Sequence, residues 1–216
     1  MIGFPICKIN LGLHVLSRRP DGFHNIETLM LPVEYCDILE FIENKGNKDE
    51  FVNTGIKTDC PTDQNLVIRA LQLMRKHHPV PPLKIHLHKN IPIGSGLGGG
   101  SSNAAKMLFM LNEYFSFGYQ KNTLAELASA LGSDCSFFVY GSPALASGKG
   151  EVIEPLKIRL KNLKIVLINP HIHISTKEAY QSIVPVKHDH SISNIMNEKV
   201  DKWKELMNND FEPGIF

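Results

Sequence analysis

One stretch of the chain reads Ile91-Pro92-Ile93-Gly94-Ser95-Gly96-Leu97-Gly98-Gly99-Gly100-Ser101-Ser102-Asn103-Ala104-Ala105, and we call its residues 92–102 the glycine loop. Its five glycines carry no Cβ atoms, so their backbone can approach a ligand closely and adopt positive φ angles. Apolar residues follow at helical spacing, namely Ala104, Leu108, Leu111 and Phe115. A glycine loop that leads into a helix N-terminus presents unpaired N–H donors and the positive end of the helix dipole. The stretch therefore predicts a phosphate site.

Three other interpretations of this stretch are weaker. A P-loop is excluded because the Gly-Lys-Ser/Thr ending is missing. The spacing Gly94-x-Gly96-x-x-Gly99 matches a dinucleotide fold, which requires a buried parallel strand before the loop. Here residues 83–89 alternate apolar and polar side chains, as a half-exposed antiparallel strand does. A plain linker would not carry a proline and a leucine and then pass abruptly into a helix. Phosphate binding is thus favoured over a dinucleotide site and over a linker.

The composition restricts the class of protein. A chain of 216 residues with 43% hydrophobic and 21% charged residues suits one large domain or two small ones. The net charge of +1 gives no reason to expect nucleic acid or an anionic membrane as a partner. No apolar run approaches the roughly 20 residues of a membrane span. The four cysteines form no C-x-x-C pair, which predicts free thiols in a reducing cytoplasm.

Hydrophobic periodicity predicts a mixture of strands and helices. Strands are expected at residues 6–16, 26–33, 38–41, 83–89, 137–140 and 163–168, with a hairpin-like connection at 143–150. Helices are expected at residues 65–77, after the glycine loop, over 124–131, after 178 and around Trp203 and Leu206. The predicted helix caps are Thr62 or Asp63 and two capping boxes, Thr123-x-x-Glu126 and Ser175-x-x-Glu178. The helix at 65–77 is expected to bury Leu66, Ala70 and Leu73.

Three groups of residues outside the loop are candidates for chemistry. Lys8 and Asn10 share one face of the first strand, opposite Cys7, Ile9, Leu11, Leu13 and Val15. A lysine among apolar residues indicates a nearby anion, or else a side chain that reaches solvent. Asp134 is expected between a helix end and a strand, where it could act chemically or simply form a turn. Phe23 and His24 lie just past the tip of the turn predicted at residues 17–24 and could bind a base-like ring or cover the core.

The histidine pairs His86-x-His88 and His171-x-His173 raise the possibility of a metal site. Neither pair is accompanied by a third ligand at a fixed spacing or by a carboxylate cluster. A dedicated zinc site is therefore disfavoured.

Taken together, these segments resemble the GHMP family of small-molecule kinases. The resemblance is carried by residues 8–11 with 19–24, by residues 92–105, and by residues 131–134 with 148–151. It implies an α+β fold with a ribosomal protein S5 domain 2-like N-terminal domain at residues 1–155. A ferredoxin-like C-terminal domain would begin within residues 156–216. Family members carry a third glycine-rich segment near the C-terminus that this sequence does not supply, so we expect the second domain to be incomplete.

The implied activity is ATP-dependent phosphorylation of an alcohol, with Mg²⁺, in the cytoplasm. The first and third segments point to the family branch whose substrate is the 2-hydroxyl of 4-diphosphocytidyl-2-C-methyl-D-erythritol. This compound belongs to the non-mevalonate (MEP) route to isoprenoid precursors. The implied partner is that small molecule, with no nucleic acid or membrane. Two alternatives remain: another GHMP small-molecule kinase, or an ATP-binding module that is inactive because the third glycine segment is missing.

The resemblance also assigns roles to individual residues. Lys8 and Asp134 would be catalytic, and Asp134 would take the proton of the hydroxyl. The residues that would hold the ATP phosphates are Pro92, Ile93, Gly94, Ser95, Gly96, Leu97, Gly98, Gly99, Gly100, Ser101 and Ser102. The residues expected near the nucleoside are Asn65, Lys89 and Asn103. The residues expected to bind the substrate are Asn10, Phe23, His24 and Tyr180. For Mg²⁺, the Ser102 hydroxyl is a candidate ligand, and ligation through phosphates and water is the alternative.

Two positions depart from the family pattern. Cys7 stands where the family usually has alanine, which is a small and tolerable change. Phe23 stands where the family usually has tyrosine, so stacking is kept while a hydrogen bond from the phenol is lost.

Overall fold

A computed structural model describes residues 1–158, 160, 164–169, 179–180 and 183–215. The chain divides into two compact units. Unit 1 comprises Met1–Lys8, Pro32–Ile93 and Leu97–Gly141, and unit 2 comprises Ile9–Leu31, Gly94–Gly96 and Ser142–Phe216. The domain boundary expected at residue 155 stays a prediction.

Strands and helices occur largely in separate runs along the chain, as is typical of an α+β fold. The strands are β1 Ile2–Gly3, β2 Ile6–Arg18, β3 His24–Cys36, β4 Ile38–Glu43, β5 Glu50–Gly55, β6 Leu83–Lys89, β7 Ala144–Gly148 and β8 Val152–Pro155. The helices are α1 Leu66–Arg75, α2 Gly99–Tyr114, α3 Lys121–Ser129, α4 Cys135–Tyr140, α5 Ile192–Ile195, α6 Val200–Leu206 and α7 Glu212–Ile215. A 3-10 turn, Thr62–Gln64, precedes α1.

Unit 1 contains a sheet with the strand order β1-β4-β6-β5. β6 pairs antiparallel with β4 and parallel with β5, so the predicted antiparallel character holds for one neighbour. The predicted alternation is confirmed, because Leu83, Ile85 and Leu87 are buried while Lys84 is exposed. β5 was not expected from the sequence.

Helices α1 to α4 contribute to the core of unit 1, together with β4 and β6. The stripe predicted for α2 is confirmed: Ala104, Leu108 and Leu111 are buried, and Phe115 packs at their margin. The inward face of α1 was only partly predicted. Its buried residues are Val67, Ile68, Ala70, Leu71 and Met74, whereas Leu66 and Leu73 are half-buried.

Three local predictions in unit 1 are wrong. Residues 137–140 form part of helix α4 instead of a strand, because packing of this segment into the core overrides the strand propensity of its aromatic and β-branched residues. Helix α1 is capped by Asn65, whose side chain accepts from the Val67 N–H, instead of by Thr62 or Asp63. Helix α3 already begins at Lys121, so Thr123 lies inside it and forms no capping box.

Unit 2 contains a sheet with the strand order β2-β3-β7-β8. β3 pairs antiparallel with β7 from Ile26 to Met30, and β7 pairs antiparallel with β8. The hairpin-like connection predicted at residues 143–150 is partly confirmed: it contains β7 and the start of the hairpin turn, but the second strand, β8, was not expected from the sequence.

Strand β2 changes face at Gly12, which has a φ of +64°. Before this glycine, Ile9 and Leu11 pack in one apolar cluster with Leu29; after it, Leu13 and Val15 pack in another cluster. A glycine with positive φ inside a strand is typical of a β-bulge, which rotates the following residues. The prediction that all five apolar residues share one face is therefore wrong.

The C-terminal part of unit 2 contains short helices. Trp203 and Leu206 lie on α6, as predicted, although α7 follows it. Residues 164–168 are not in a strand, contrary to the prediction, and Leu163, Ser175 and Glu178 lie outside the described residues. None of the helices in the described ranges has both the length and the apolarity of a bilayer-spanning segment.

Candidate active site

The glycine loop ends in the N-terminus of α2, as the sequence predicts. Gly94, Gly96 and Gly98 have φ angles of +67°, +73° and +71°, values that L residues with side chains rarely adopt. The first intrahelical hydrogen bond runs from the Ser102 N–H to the Gly98 carbonyl (2.9 Å). The N–H groups that precede it in the helix have no acceptor within α2, so they can serve a bound anion.

Gly98 is required by its surroundings as well as by its φ angle. A Cβ atom at this position would lie 2.8 Å from Phe138 Cζ and 3.2 Å from Lys8 Cγ. The Lys8 N–H donates to the Leu97 carbonyl (3.0 Å), which fixes the start of β2 against the loop. The alkyl part of Lys8 therefore packs directly on the glycine loop.

Lys8 and Asp134 lie side by side, as the family resemblance implies. Lys8 Nζ is 3.3 Å from Asp134 Oδ2; the lysine side chain is 7% exposed and the aspartate side chain is 30% exposed. Asp134 occupies the N-cap position of α4 without capping it through its side chain. The pair thus presents a carboxylate that solvent can reach and a cation that is almost buried beneath the surface.

The base of the loop is held by a buried ion pair between Lys89 and Asp37. The other Asp37 oxygen accepts from the N–H groups of Asn90 (2.7 Å) and Ile91 (2.8 Å). A Cβ atom on Gly99 would lie 3.1 Å from Lys89 Nζ. The Lys89 ammonium therefore packs closely against the glycine loop at Gly99. Its expected role near a nucleoside stays a prediction.

Asp37 was not singled out from the sequence. The available signal was Lys89 itself, because a lysine at the buried end of a strand requires an acidic partner. Nothing in the local sequence indicated which acid that partner would be.

The other two residues expected near the nucleoside also lie in unit 1. Asn65 caps α1 through its Oδ1 atom, which accepts from the Val67 N–H (3.0 Å). Asn103 is buried in α2, and its Oδ1 atom has no hydrogen-bond partner within the described residues. Their roles toward a nucleoside stay predictions.

Cys135 follows Asp134 but is not a chemical alternative to it. Burial raises the pKa of its thiol to about 11, while a hydrogen bond with Ser101 acts in the opposite direction. A thiol that remains protonated at neutral pH is a poor nucleophile. The carboxylate of Asp134 is the group suited to receive a proton.

In unit 2, two of the four predicted substrate residues form a ring pair. The rings of His24 and Tyr180 are stacked, with centroids 5.0 Å apart and planes at 17°. We refer to these two residues as the ring pair. Asn10 Nδ2 donates to Thr28 Oγ1 (2.9 Å), which fixes the orientation of that amide.

Phe23 is 54% exposed at the tip of the turn between β2 and β3. Its N–H donates to Asp21 Oδ1 (3.1 Å), and its ring lies 4.9 Å from Lys149 Nζ. The Arg19 guanidinium, hydrogen-bonded to Asp21, lowers the pKa of that carboxyl. The turn therefore presents an aromatic ring to solvent, with a cation over the ring.

Sequence reasoning missed a second group of ring contacts in unit 2. The rings of His14 and His188 stack at 3.6 Å with an interplanar angle of 1°, and His188 Nε2 lies 3.0 Å from Asp210 Oδ2. Burial lowers the pKa of His14, and His188 acts in the same direction. The partners are far apart in sequence, so no local pattern could have indicated the stack.

Of the two histidine pairs considered as metal ligands, one has other partners and the other lies outside the described residues. His86 Nε2 and His88 Nδ1 each lie 2.8 Å from Thr54 Oγ1, and His86 Nδ1 lies 2.9 Å from Glu40 Oε1. His171 and His173 lie outside the described residues. Across the ranges that the structure describes, no group of three or more His, Cys, Asp or Glu side chains could hold a metal ion.

Comparisons with known proteins identify the family of this chain. The model of the GHMP kinases N terminal domain matches residues 65–142, which include the glycine loop and Asp134. A 4-diphosphocytidyl-2-C-methyl-D-erythritol kinase from Azobacteroides pseudotrichonymphae is 47% identical over 218 residues, covering 100% of this chain and 80% of the relative. The enzyme of the same name from Parabacteroides distasonis is 44% identical over 216 residues, covering 100% and 79%.

A solved structure extends the match to three dimensions. The crystal structure of a 4-(cytidine 5'-diphospho)-2C-methyl-D-erythritol kinase aligns with a TM-score of 0.73 and 28% identity, covering 99% of this chain and 76% of that one. The fold and the glycine loop are those of a GHMP small-molecule kinase. Within that class, the chain belongs to the 4-diphosphocytidyl-2-C-methyl-D-erythritol kinase family.

Proposed function

We propose that this chain transfers the γ-phosphoryl group of ATP to the 2-hydroxyl of 4-diphosphocytidyl-2-C-methyl-D-erythritol, a step in the MEP route to isoprenoid precursors. The observation that carries the proposal is the Lys8–Asp134 pair, whose lysine packs on the glycine loop. The names of relatives that are 44–47% identical across the whole chain support the choice of substrate.

The glycine loop and the first turn of α2 suit a triphosphate. Positive φ angles at three glycines turn the backbone, and the side chains of Lys8 and Phe138 leave no room for a Cβ atom at Gly98. Backbone N–H groups at the helix start can donate to phosphate oxygens. ATP, when bound, supplies the phosphoryl group; residues 92–102 would hold it, with Asn65, Lys89 and Asn103 near the nucleoside.

Asp134 is suited to act as the general base. Its carboxylate is partly exposed and can accept the proton of the acceptor hydroxyl as that oxygen attacks phosphorus. Lys8 holds the carboxylate in place and supplies positive charge where negative charge accumulates during transfer. Phosphoryl transfer depends mainly on such positioning and charge stabilisation, so two side chains and a loop can suffice.

In unit 2, the ring pair and Phe23 are assigned to the cytosine, with Asn10 as a further substrate contact. An imidazole can donate to or accept from the polar edge of a base, and aromatic faces can stack on its plane. The phenylalanine at position 23 retains the stacking face that a tyrosine would offer.

Mg²⁺ is proposed as the metal that accompanies ATP. Protein sites for this ion usually supply few ligands and rely on phosphates and water. Ser102 remains the candidate side-chain ligand. We also propose a cytoplasmic location, in which Cys7, Cys36, Cys60 and Cys135 remain thiols, and no nucleic-acid or membrane partner.

The test is ADP release in the presence of ATP and Mg²⁺ with four alcohols: 4-diphosphocytidyl-2-C-methyl-D-erythritol, homoserine, mevalonate and galactose. We expect turnover with the first compound alone. Turnover with one of the other three, and none with the first, would assign the chain to a different GHMP activity. Calorimetric binding of ATP without turnover of any alcohol would indicate a nucleotide-binding module.

A further inference from the structure

Tyr180 makes ring contacts on two sides. Its centroid lies 5.0 Å from that of His24, with nearly parallel planes, and 4.9 Å from that of Phe211, with planes at 89°. The Phe211 contact is therefore edge-to-face, which is a preferred geometry for aromatic pairs. The three rings therefore form a series, in which Tyr180 contacts His24 on one side and Phe211 on the other.

The backbone that carries Phe211 is fixed to strand β2. We call residues 208–211 the return segment. The Leu13 N–H donates to the Asn208 carbonyl, and the Asp210 N–H donates to the Leu13 carbonyl (2.9 Å each). The Val15 N–H donates to Asp210 Oδ2 (2.6 Å). These three hydrogen bonds tie the return segment to the strand that continues into the turn bearing Phe23.

The Phe211 side chain packs in an apolar cluster of unit 2. The buried members of the cluster are Leu13, Val15 and Ile26, and Tyr180 packs against it as well. The Phe211 N–H also donates to Asn209 Oδ1 (3.1 Å), which closes a tight turn before the ring. Phe211 is thus held from its backbone and from its side chain.

We propose that Phe211 is a positioning residue that sets the Tyr180 ring parallel to His24 for recognition of the nucleobase. The inference rests on the proposed function, in which the ring pair holds the cytosine. Without the edge contact, the Tyr180 side chain can sample other rotamers, and ordering it again on binding costs affinity. Chemistry at the hydroxyl does not involve Phe211.

The test is a calorimetric titration with cytidine 5'-diphosphate of the wild-type chain, Phe211→Leu and Phe211→Tyr. Leucine keeps the apolar character but removes the ring edge, so we expect binding weaker by roughly 3- to 10-fold. Phe211→Tyr keeps the ring and should bind as the wild type does. In turnover assays, Phe211→Leu should raise KM for the alcohol by a similar factor and leave kcat unchanged.

A matched control separates positioning from general stability. Phe117 is a partly buried phenylalanine of unit 1 whose ring stacks on His78 at 4.0 Å. Phe117→Leu should lower the melting temperature without changing the affinity for cytidine 5'-diphosphate. If Phe211 acts through Tyr180, then adding Phe211→Leu to Tyr180→Ala should cost no further affinity.

The outcomes distinguish this inference from the proposed function. Wild-type affinity in Phe211→Leu, or full additivity with Tyr180→Ala, would overturn the role of Phe211 alone. Failure of the wild-type chain to bind cytidine 5'-diphosphate would overturn the assigned cytosine site, and the inference with it. Weakened binding in Phe211→Leu, with recovery in Phe211→Tyr, supports both.

Discussion

The glycine loop, which belongs to unit 1 except for Gly94–Gly96, and the ring pair of unit 2 are built in opposite ways. The loop is one continuous stretch whose shape comes from missing side chains, and its base rests on the buried Lys89–Asp37 pair. The ring pair joins His24 to Tyr180, which lie far apart in the chain. A loop that binds through backbone N–H groups can be recognised in the sequence, whereas a site made of distant side chains exists only after folding.

The largest expected effect tests whether unit 1 contains the chemical step. Asp134→Asn keeps the size and the polar contacts of the side chain but removes its capacity as a base. We expect kcat to fall by roughly 10²- to 10⁴-fold, while calorimetric ATP affinity stays unchanged. Asp63→Asn, at an exposed position in the 3-10 turn, is the control and should leave kcat intact. Undiminished ADP release by Asp134→Asn would remove the proposed base.

The next prediction concerns the buried Lys89–Asp37 ion pair at the base of the glycine loop. Lys89→Met leaves the Asp37 carboxylate buried without its cation, so we expect urea unfolding to show a loss of about 3–5 kcal/mol. Lys84→Met, which breaks the exposed pair with Glu50, should shift the unfolding curve far less, because solvent screens that pair. Equal losses in the two variants would mean that the buried pair contributes no more than a surface pair does.

Much of this architecture was predictable because the decisive signals are local. The start of α2, the alternation in β6 and the hairpin turn after β7 follow from spacing and glycine placement. Lys8 was noticed because a lysine is unusual in an apolar strand. Its partner Asp134 was an unremarkable turn residue until the family resemblance paired the two.

The errors have a common physical cause. Residues 137–140 have strand-forming side chains, yet packing against α2 and α3 holds them in a helix. The apolar residues of β2 before and after Gly12 pack in different clusters, and a single glycine in an alternating pattern does not reveal this change. Asp37 and Phe211 were not singled out from the sequence because their contacts, with Lys89 and Tyr180, are with residues far along the chain.

A smaller expected effect tests how tightly other atoms pack around the glycines of the loop. Gly96 and Gly98 both have positive φ angles, so alanine at either position strains the backbone by about 1–2 kcal/mol. At Gly98 the new methyl group would also meet Phe138 and Lys8. At Gly96 no atom of the described residues, apart from the glycine and its two chain neighbours, lies within 4 Å of the added carbon. We therefore expect Gly98→Ala to lose about 1–3 kcal/mol more in chemical unfolding than Gly96→Ala. Indistinguishable unfolding curves would show that the packing around Gly98 yields easily.

The smallest expected effect is a pH dependence of the melting temperature that we expect to arise from His14 in unit 2. His14 in unit 2 is about 1% exposed and faces His188, Asp210 and Glu27, and its pKa is lowered mainly by burial. The unfolded chain therefore binds a proton near pH 6.5 that the folded chain does not yet bind, so stability falls as the pH drops below that value. We expect a lower melting temperature at pH 5.5 than at pH 7.5, and a smaller difference in His14→Phe, which keeps a ring against His188. His77→Gln, at an exposed histidine of unit 1, should keep the full difference. Loss of the pH response in the His77 variant, with a full response in the His14 variant, would contradict this prediction. The titrating group would then lie in unit 1, and the lowered pKa of His14 would have no measurable effect on the stability of the fold.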